Sequence, residues 1–305
     1  MRTFRTDESL PAEARGAAVA LGNFDGVHLG HQAVIDAARA VNAPLAVATF
    51  APHPRRFFAP DTPPFALQTP SQQARALSNL GVERLFTIPF DAALSQMSER
   101  AFVERVLVGQ LGVVHVSTGA DFRYGAKRAG DVESLRRCGD EFGFTVAAVA
   151  PVAGADGVYS STAVRDAIGG GDMARAATVL SRPWAIEGVV ERGFQRGREL
   201  GVPTANVRLS DYVRPRLGVY AVRVDIGGRG WWPGVASIGV NPTVGELPEP
   251  LLEAHVLEFD GDLYGRRIEV RMLAFLRDEA KFDSLEALKA QMKQDMEDAR
   301  RALAR

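Results

Sequence analysis

Short apolar runs alternate with helical patterns in the first half of the chain. Thr69-Pro70-Ser71-Gln72 has the order of an N-cap, a first-turn proline and a capping-box glutamine, and predicts a helix start. A second helix is indicated by apolar residues on one helical face, namely Phe102, Val103, Val106, Leu107 and Leu111. The apolar runs, which we predict to be strands, are residues 17–22, 44–50, 84–90, 112–119 and 144–150. Buried strands that alternate with helices predict a doubly wound parallel sheet, because right-handed crossovers put helices on both faces.

The pattern changes after a short helix at residues 172–180, and we expect a domain boundary at Ser181-Arg182-Pro183. Strand-like runs then follow closely, separated by turns rich in Gly, Pro and Asp, at residues 184–190, 218–226, 230–240, 251–259 and 267–276. This spacing favours an antiparallel barrel over a further α/β sheet. A final helix begins near Ser284, and its apolar stripe is expected to pack on the barrel; the stripe is Leu285, Leu288, Met292, Met296, Ala299 and Leu303.

The predicted fold is therefore α/β plus β. A doubly wound parallel-sheet domain spans residues 1–182, and a six-stranded antiparallel β-barrel with a C-terminal helix spans residues 183–305. The length of 305 residues suits two domains of this kind.

Charge and cysteine content narrow the class of protein. Lys and Arg total 36 against 37 Asp and Glu, and neither domain is strongly basic, so we expect no nucleic-acid partner. The single cysteine, Cys138, excludes an internal disulfide and a Cys-rich zinc site, and suits a cytoplasmic location. No run approaches the length of a membrane span and the N-terminal segment is polar, so no membrane partner is expected either. The sequence leaves the oligomeric state open.

Two histidines follow the first long apolar run, in GNFDGVHLGH at residues 22–31. His28 and His31 are one helical turn apart, and the glycines around them allow close backbone approach to a ligand. A helix N-terminus at the carboxyl edge of a parallel sheet suits phosphate. No cysteine or third histidine nearby favours zinc, and the dinucleotide fingerprint GxGxxG is absent. On the residues alone, a phosphate site and an ordinary helix start both remain open.

Several motifs together resemble one family. GxFDGxHxGH is similar to the HxGH motif of nucleotidyltransferases, in the form found in the bifunctional riboflavin kinase/FAD synthetases of bacteria. Other stretches that look like this family, in its order, are TFAPHPRRFF (49–58), GADFRYG (119–125), YSSTAVR (159–165), RGRELGVPTAN (196–206), GVYAV (218–222), GVASIGVNPT (234–243) and LEAHVLEFDGDLYG (252–265). The resemblance implies that the second domain converts riboflavin and ATP to FMN. It implies that the first domain, of the HxGH type, converts FMN and ATP to FAD and pyrophosphate.

For the first domain, the resemblance implies that His28 and His31 are catalytic and bind the ATP phosphates. It makes Ser161, Thr162 and Arg165 a second phosphate clamp, although a helix N-cap with a solvated arginine is the alternative reading. The residues expected to bind ATP or FMN are Gly22, Asn23, Phe24, Asp25, Gly30, Asp121, Arg123, Ser161, Thr162 and Arg165. The resemblance places Asp121 and Arg123 near the nucleotide or the flavin, and a surface ion pair in a turn is the alternative. His53, between two prolines, is a candidate for the flavin-phosphate site, and a rigid loop residue is the alternative.

For the second domain, no GxxxxGK[ST] loop is present, so a P-loop kinase is excluded. Thr204 and Asn206 in PTAN offer neutral oxygens on an extended segment, and the resemblance assigns them to Mg²⁺ and phosphate. It makes Glu253 the general base for the riboflavin 5′-hydroxyl. The arm expected to cover ATP contains Gly197, Arg198 and Gly201.

The strand pattern by itself also indicates that Glu253 is a candidate functional residue. Strict alternation through LLEAHVLEF puts this carboxylate on the same face as Leu257 and Phe259, where it needs a partner or a task. A salt bridge at the barrel rim is the alternative. The resemblance implies that Mg²⁺ serves both reactions, each with ATP. The alternatives for the whole chain are an enzyme with only one active site and a flavin carrier without catalysis, which needs no phosphate sites.

Overall fold

The computed structural model describes residues 1–192, 202–228, 230–240 and 250–304. Contacts within the chain divide it into two units, the first made of residues 1–62 and 70–160, the second of residues 63–69 and 161–305. Each unit contains one six-stranded sheet.

The sheet of the first unit is parallel throughout. Its strands are β1 (Arg2–Arg5), β2 (Ala18–Leu21), β3 (Leu45–Ala51), β4 (Arg84–Pro89), β5 (His115–Gly119) and β6 (Thr145–Val149). Their order is β1-β4-β3-β2-β5-β6, so the winding reverses at β2. The five predicted strands are confirmed; β1, a polar edge strand, was not predicted.

Helices cover both faces of this sheet, as predicted. They are α1 (Leu29–Arg39), α2 (Pro54–Phe58), α3 (Pro70–Asn79), α4 (Ala92–Ser95), α5 (Glu99–Phe102) and α6 (Val132–Phe142). Strand β2 separates two apolar cores, since Val19 and Leu21 belong to one and Ala18 and Ala20 to the other. A short hairpin, β7 (Ala153–Gly154) and β8 (Gly157–Val158), follows β6.

The second predicted helix winds differently from expectation. From Val103 to Leu111 it is a π-helix that continues α5, and it ends at the left-handed Gly112. All five residues of the predicted apolar face are buried. Arg15 donates to the carbonyl oxygens of Gly109 and Gln110, at 2.5 and 2.7 Å, and so satisfies the C-terminal end.

The second unit begins with two helices, α7 (Ser161–Gly170) and α8 (Met173–Leu180), followed by a barrel. The barrel strands are β9 (Trp184–Val189), β10 (Ala205–Arg208), β11 (Gly218–Asp225), β12 (Trp231–Val240), β13 (Pro250–Val256) and β14 (Arg267–Arg277). They run antiparallel in the order β10-β13-β12-β11-β14-β9. Glu191 N–H donates to the carbonyl of Asn206 at 2.9 Å, which nearly closes the barrel between β9 and β10. The predicted barrel is confirmed.

The C-terminal helix α9 (Leu285–Leu303) begins at the N-cap Ser284, whose hydroxyl accepts from Ala287 N–H. It packs on the barrel, with Ala299 fully buried, although Leu285 at the start of the predicted stripe is 49% exposed. No helix in the described part of the chain has the length and apolar character that a membrane crossing requires.

The segment of residues 63–69 belongs to the barrel unit, although the residues on either side of it in sequence belong to the first unit. Ala66 exchanges backbone hydrogen bonds with Asp211 and Val213, at 2.9 and 2.8 Å. Trp184 Nε1 donates to Leu67 O at 2.8 Å. Thr69, predicted to cap α3, donates its hydroxyl to the buried carboxylate of Glu187.

Candidate active sites

The His28–His31 loop joins the carboxyl end of β2 to α1, at the point where the strand order reverses. In open α/β sheets this is where ligands bind. His28 is the N-cap of α1, and its Nδ1 accepts the backbone N–H of His31 at 3.3 Å. In a neutral imidazole, an accepting Nδ1 leaves the proton on Nε2. The two rings are stacked with centroids 3.6 Å apart. His28 is therefore a buried donor at a helix N-terminus, a position that favours phosphate.

The backbone of this loop is strained. Phe24 and Val27 have φ of 50° and 45°, in the left-handed region that residues other than glycine rarely adopt, and Gly26 has 88°. Both Phe24 and Val27 are 1% exposed and belong to the apolar core beneath α1. Such a conformation persists only where the surroundings fix it, and it is common at functional sites.

Gly30 is required by close packing. A Cβ at this position would lie 2.9 Å from the carbonyl oxygen of Tyr159 and 3.1 Å from the imidazole of His28. Gly22 is less constrained, because a Cβ there would be at an ordinary 3.4 Å from the Phe24 ring. Close approach therefore explains Gly30, and not Gly22.

Two polar residues of the predicted set, Asp25 and Asn23, place buried polar atoms in the loop itself. Asp25 is 8% exposed. The Oδ1 atom of Asn23 is buried, and no donor among the described residues hydrogen-bonds to it. An acceptor of this kind is costly to leave unsatisfied, so a ligand donor at this point would be favoured.

The GADFRYG turn follows β5 at the same edge of the sheet. Asp121 and Arg123 are both exposed, and Arg123 pairs with Asp131 at 3.2 Å rather than with Asp121. Asp131 caps α6, and the backbone hydrogen bond from Ser134, assisted by Arg123, lowers the pKa of its carboxyl. Burial raises the pKa of Tyr124 to about 12, so the buried phenol stays protonated.

His53, like His28, is a helix N-cap. It is the N-cap of α2, and its Nδ1 accepts the backbone N–H of Arg55 at 3.1 Å. The neutral ring again carries its proton on Nε2.

An aromatic cluster that the sequence pattern did not predict lies beyond β3 and β4. Phe58 is 67% exposed, and its ring meets those of Phe57 and Phe90 at 5.2 and 5.6 Å. Phe90 also meets Phe50 at 5.9 Å, which ties the cluster to the sheet. The adjacent phenylalanines Phe57 and Phe58, after two arginines in α2, were the sequence signal for it. An exposed aromatic ring at a ligand-binding edge offers a surface for a flat apolar ring.

Ser161 and Thr162 are the first two residues of α7, in the second unit. Arg165, one turn on, is not a solvated side chain: its Nε donates to Phe65 O at 2.8 Å, and its guanidinium lies 5.5 Å from the Phe65 ring centroid. The segment of residues 63–69 thus fixes the direction of this arginine.

In the barrel, strand register brings together two of the residues expected to serve the kinase. Asn206 on β10 lies opposite Glu253 on β13, and Glu253 lies opposite Ser237 on β12. Directly opposite residues share a face of the sheet. Asn206 is 6% exposed, whereas Glu253 is intermediate in exposure.

The prediction that Glu253 lies on an apolar face of its strand is wrong. The buried face of β13 is Leu252, Ala254 and Val256, so Glu253 lies on the opposite, partly exposed face. The strand ends at Val256 and a turn follows, with Glu258 at φ 61°, which breaks the alternation before Phe259.

His255 holds the PTAN segment. Its Nδ1 is 2.8 Å from the carbonyl oxygen of Pro203, and since a carbonyl can only accept, Nδ1–H donates. Thr204 follows directly, just before β10. Gly197, Arg198 and Gly201, predicted to cover ATP, lie outside the described residues.

Comparisons with known proteins match the two parts of the chain to two different families. A family model described as FAD synthetase matches residues 10–163, and one described as riboflavin kinase matches residues 180–303. A bifunctional riboflavin kinase/FMN adenylyltransferase from Pseudomonas fluorescens is 44% identical, covering 100% of this chain and 98% of its own length. One from Escherichia coli K12 is 39% identical, covering 93% of this chain and 92% of its own.

A crystal structure described as a macrolide-efflux protein from Streptococcus pneumoniae is 31% identical, with a TM-score of 0.87 over 98% of each chain. Its description differs from those of the curated relatives, whereas its fold agrees with the two-domain architecture seen here. The matches to both family models and to full-length relatives give this chain two activities, phosphorylation of riboflavin to FMN and adenylylation of FMN to FAD, both with ATP. The chain belongs to the bifunctional riboflavin kinase/FMN adenylyltransferase family.

Proposed function

We propose that the two reactions use separate sites, with adenylyl transfer in residues 1–182 and riboflavin phosphorylation in residues 183–305. The ranges matched by the two family models support a boundary between them, since one match ends at 163 and the other begins at 180. The proposed boundary at residue 182 separates the two catalytic functions. It differs from the boundary between the packing units, because α7 and α8 belong to the barrel unit.

In adenylyl transfer, an FMN phosphate oxygen attacks the α-phosphorus of ATP, and the bond to pyrophosphate breaks. No protein nucleophile is needed, so positioning and charge stabilisation supply the rate. The observation that carries this proposal is the hydrogen bond from His31 N–H to His28 Nδ1, which assigns the proton of the neutral His28 ring to Nε2. We assign to His28 and His31 the stabilisation of the departing pyrophosphate, assisted by the α1 N-terminus.

The remaining first-domain residues bind the substrates in this proposal. Asn23 Oδ1 accepts from the ligand, and Gly22, Phe24, Asp25 and Gly30 shape the loop. Ser161, Thr162 and Arg165 contact ATP phosphates, as the resemblance implies. Phe58 stacks on the flavin ring, a role supported by its exposure. Asp121 and Arg123 contact the nucleotide or the flavin phosphate.

In the kinase reaction, the riboflavin 5′-hydroxyl attacks the γ-phosphorus of ATP, and Glu253 accepts the hydroxyl proton. The bond from this phosphorus to the β,γ-bridging oxygen breaks, and ADP leaves. The register of β10, β13 and β12 supports this role, because it gives Glu253 polar neighbours on its own face. Thr204 and Asn206 provide neutral oxygens beside this carboxylate, a donor set that suits Mg²⁺. When bound with ATP, the metal neutralises phosphate charge. Gly197, Arg198 and Gly201 cover the nucleotide.

A cytoplasmic location is also proposed, because both reactions consume ATP and the chain has a single cysteine, Cys138, which is buried. A carrier that binds flavin without turnover is not favoured. The family assignment requires ATP chemistry at both domains, and a carrier has no need of it.

The test is a time course of the purified protein with riboflavin, ATP and Mg²⁺, with flavins separated by chromatography. FMN is expected first and FAD after it. The double variant His28→Ala/His31→Ala is expected to accumulate FMN without FAD. Glu253→Ala is expected to stop FMN formation while still converting supplied FMN to FAD. If Glu253→Ala abolished both steps in a folded protein, the proposal of separate sites would fail.

A further inference from the structure

We infer that Gln73, on α3, is a positioning residue for adenylyl transfer. Its amide nitrogen Nε2 lies 3.0 Å from the carbonyl oxygen of Asn23 and 3.1 Å from that of Phe24. A primary amide has two hydrogens, so one group donates to both carbonyls. The inference rests on the proposed role of His28 and His31, because Gln73 acts through the loop that carries them.

The loop needs such support because its backbone is strained at Phe24 and Val27. Asn23 O accepts a second hydrogen bond from Thr49 Oγ1, at 3.0 Å, and Thr49 is 4% exposed on β3. Val27 O accepts from Gln32 Nε2 at 3.2 Å. Three side chains therefore hold successive parts of the turn that leads into His28.

Gln73 differs from these two because it comes from a separate helix. Thr49 lies on a sheet strand and Gln32 on α1 itself. One turn after Gln73 on α3, Leu77 is fully buried in the same apolar core as Phe24 and Val27. Residues four apart share a helix face, so Leu77 anchors the helix and Gln73 reaches the loop from the same side. Helix α3 thus fixes the direction from which His28 is presented.

A substitution series at Gln73 separates donation from packing. Gln73→Met is close in size but has no donor, Gln73→Glu offers only acceptors to two carbonyl oxygens, and Gln73→Lys keeps hydrogens to donate. If hydrogen-bond donation by residue 73 is what matters, the rate of adenylyl transfer should be highest in Gln73→Lys, lower in Gln73→Met and lowest in Gln73→Glu. Packing alone predicts that Met, the apolar variant, tolerates the site best.

The measurements are kcat and KM for supplied FMN with ATP, and the riboflavin kinase rate of the same chains. We expect Met to lower kcat about 10- to 30-fold, as two lost hydrogen bonds would. Glu should lower it about 100-fold, and Lys should stay within about fivefold of the parent. The kinase rate should remain unchanged, which controls for folding of the whole chain. Gln110→Glu, the same change at an exposed site of the first unit, should leave both rates unaltered.

Titration of flavin binding in the presence of a non-hydrolysable ATP analogue counts competent sites. If a variant binds as much flavin per chain as the parent but has a lower kcat, the positioning role of Gln73 is supported. If the amount of flavin bound falls in proportion to kcat, the first unit has unfolded and the positioning role is overturned. Parent-like kcat in Gln73→Met also overturns it. His28→Ala distinguishes the two proposals: if it abolishes FAD formation while Gln73→Met does not, only the role of Gln73 fails. If His28→Ala leaves FAD formation intact, the site assignment itself fails.

Discussion

Asn206 lies directly opposite Glu253 across β10 and β13, and Ser237 completes the row on β12. The amide is buried while the carboxylate is partly exposed. Glu253 can therefore meet a substrate from solvent while its neighbour on the same face is fixed in the barrel. An aspartate or glutamate in this position can take a proton and release it again to water after each turnover.

Glu253→Gln tests the general base, because glutamine keeps the shape of the side chain but accepts no proton. We expect riboflavin phosphorylation to fall by a factor of about 100 to 10,000. Adenylylation of supplied FMN should not change. The measurement is the initial rate of each step by flavin chromatography. Glu258→Gln, an exposed glutamate in the turn after β13, is the control and should keep both rates. A Glu253→Gln kinase within threefold of the parent would contradict the assignment.

Gly30→Ala tests the packing around His28. The new Cβ would meet the Tyr159 carbonyl at 2.9 Å and the His28 ring at 3.1 Å, so the imidazole or the helix start must shift. A misplaced group of this kind costs up to about 100-fold in rate, and we expect a loss of about that size in FAD formation. Gly169→Ala, at a helical glycine with open space around it, should leave this rate unchanged. Equal rates in the two variants would show that close packing at Gly30 does not matter.

Much of the fold could be predicted because burial determines the order of apolar and polar residues along each strand. Strand β2 is buried on both faces and is a continuous apolar run, whereas β13 of the barrel alternates between buried and partly exposed residues. The polar strand β1 has no such signal. The sequence also could not distinguish a π-helix from an α-helix over residues 103–111. Apolar residues at 103, 107 and 111 lie on one face in either kind of helix.

The site could be predicted less completely. The glycines, the histidines and their place after β2 were readable because they are local in sequence. The face of Glu253 was not, because alternation holds only within a strand and β13 ends at Val256. The pairing of Asn206 with Glu253, and the hydrogen bonds of Gln73, depend on contacts between distant segments that no local pattern encodes.

Stability of the first unit should depend on His115. This residue is 5% exposed, its Nδ1 lies 2.7 Å from Thr145 Oγ1, and burial lowers the pKa of its imidazole below the ordinary 6.5. The unfolded chain then binds a proton before the folded chain does, so this residue should reduce stability as pH falls below about 6.5 and have no such effect above it. Urea unfolding followed by circular dichroism at pH 7.5 and 5.5 measures this. The difference between the two midpoints should shrink in His115→Gln; the same difference in both proteins would contradict the expectation.

Docking of α9 should depend on one ion pair. Asp295 is 5% exposed and accepts two hydrogen bonds from Arg277, both at 2.7 Å, and a third from Gln291 at 2.8 Å. The hydrogen bonds to Asp295 raise the pKa of the Arg277 guanidinium. Removing one member of a buried pair leaves the other charge uncompensated, and we expect Asp295→Ala to lower the free energy of unfolding by about 3 kcal/mol.

Tryptophan fluorescence during urea unfolding measures this loss selectively, because Trp184, Trp231 and Trp232 all lie in the barrel unit. Asp298→Ala on the same helix removes the more exposed pair with Arg301 and should cost at most about 1 kcal/mol. Similar losses in the two variants would mean that the helix is held by its apolar stripe alone. A large loss confined to Asp295→Ala would make the Arg277–Asp295 pair the main polar anchor of α9 on the barrel.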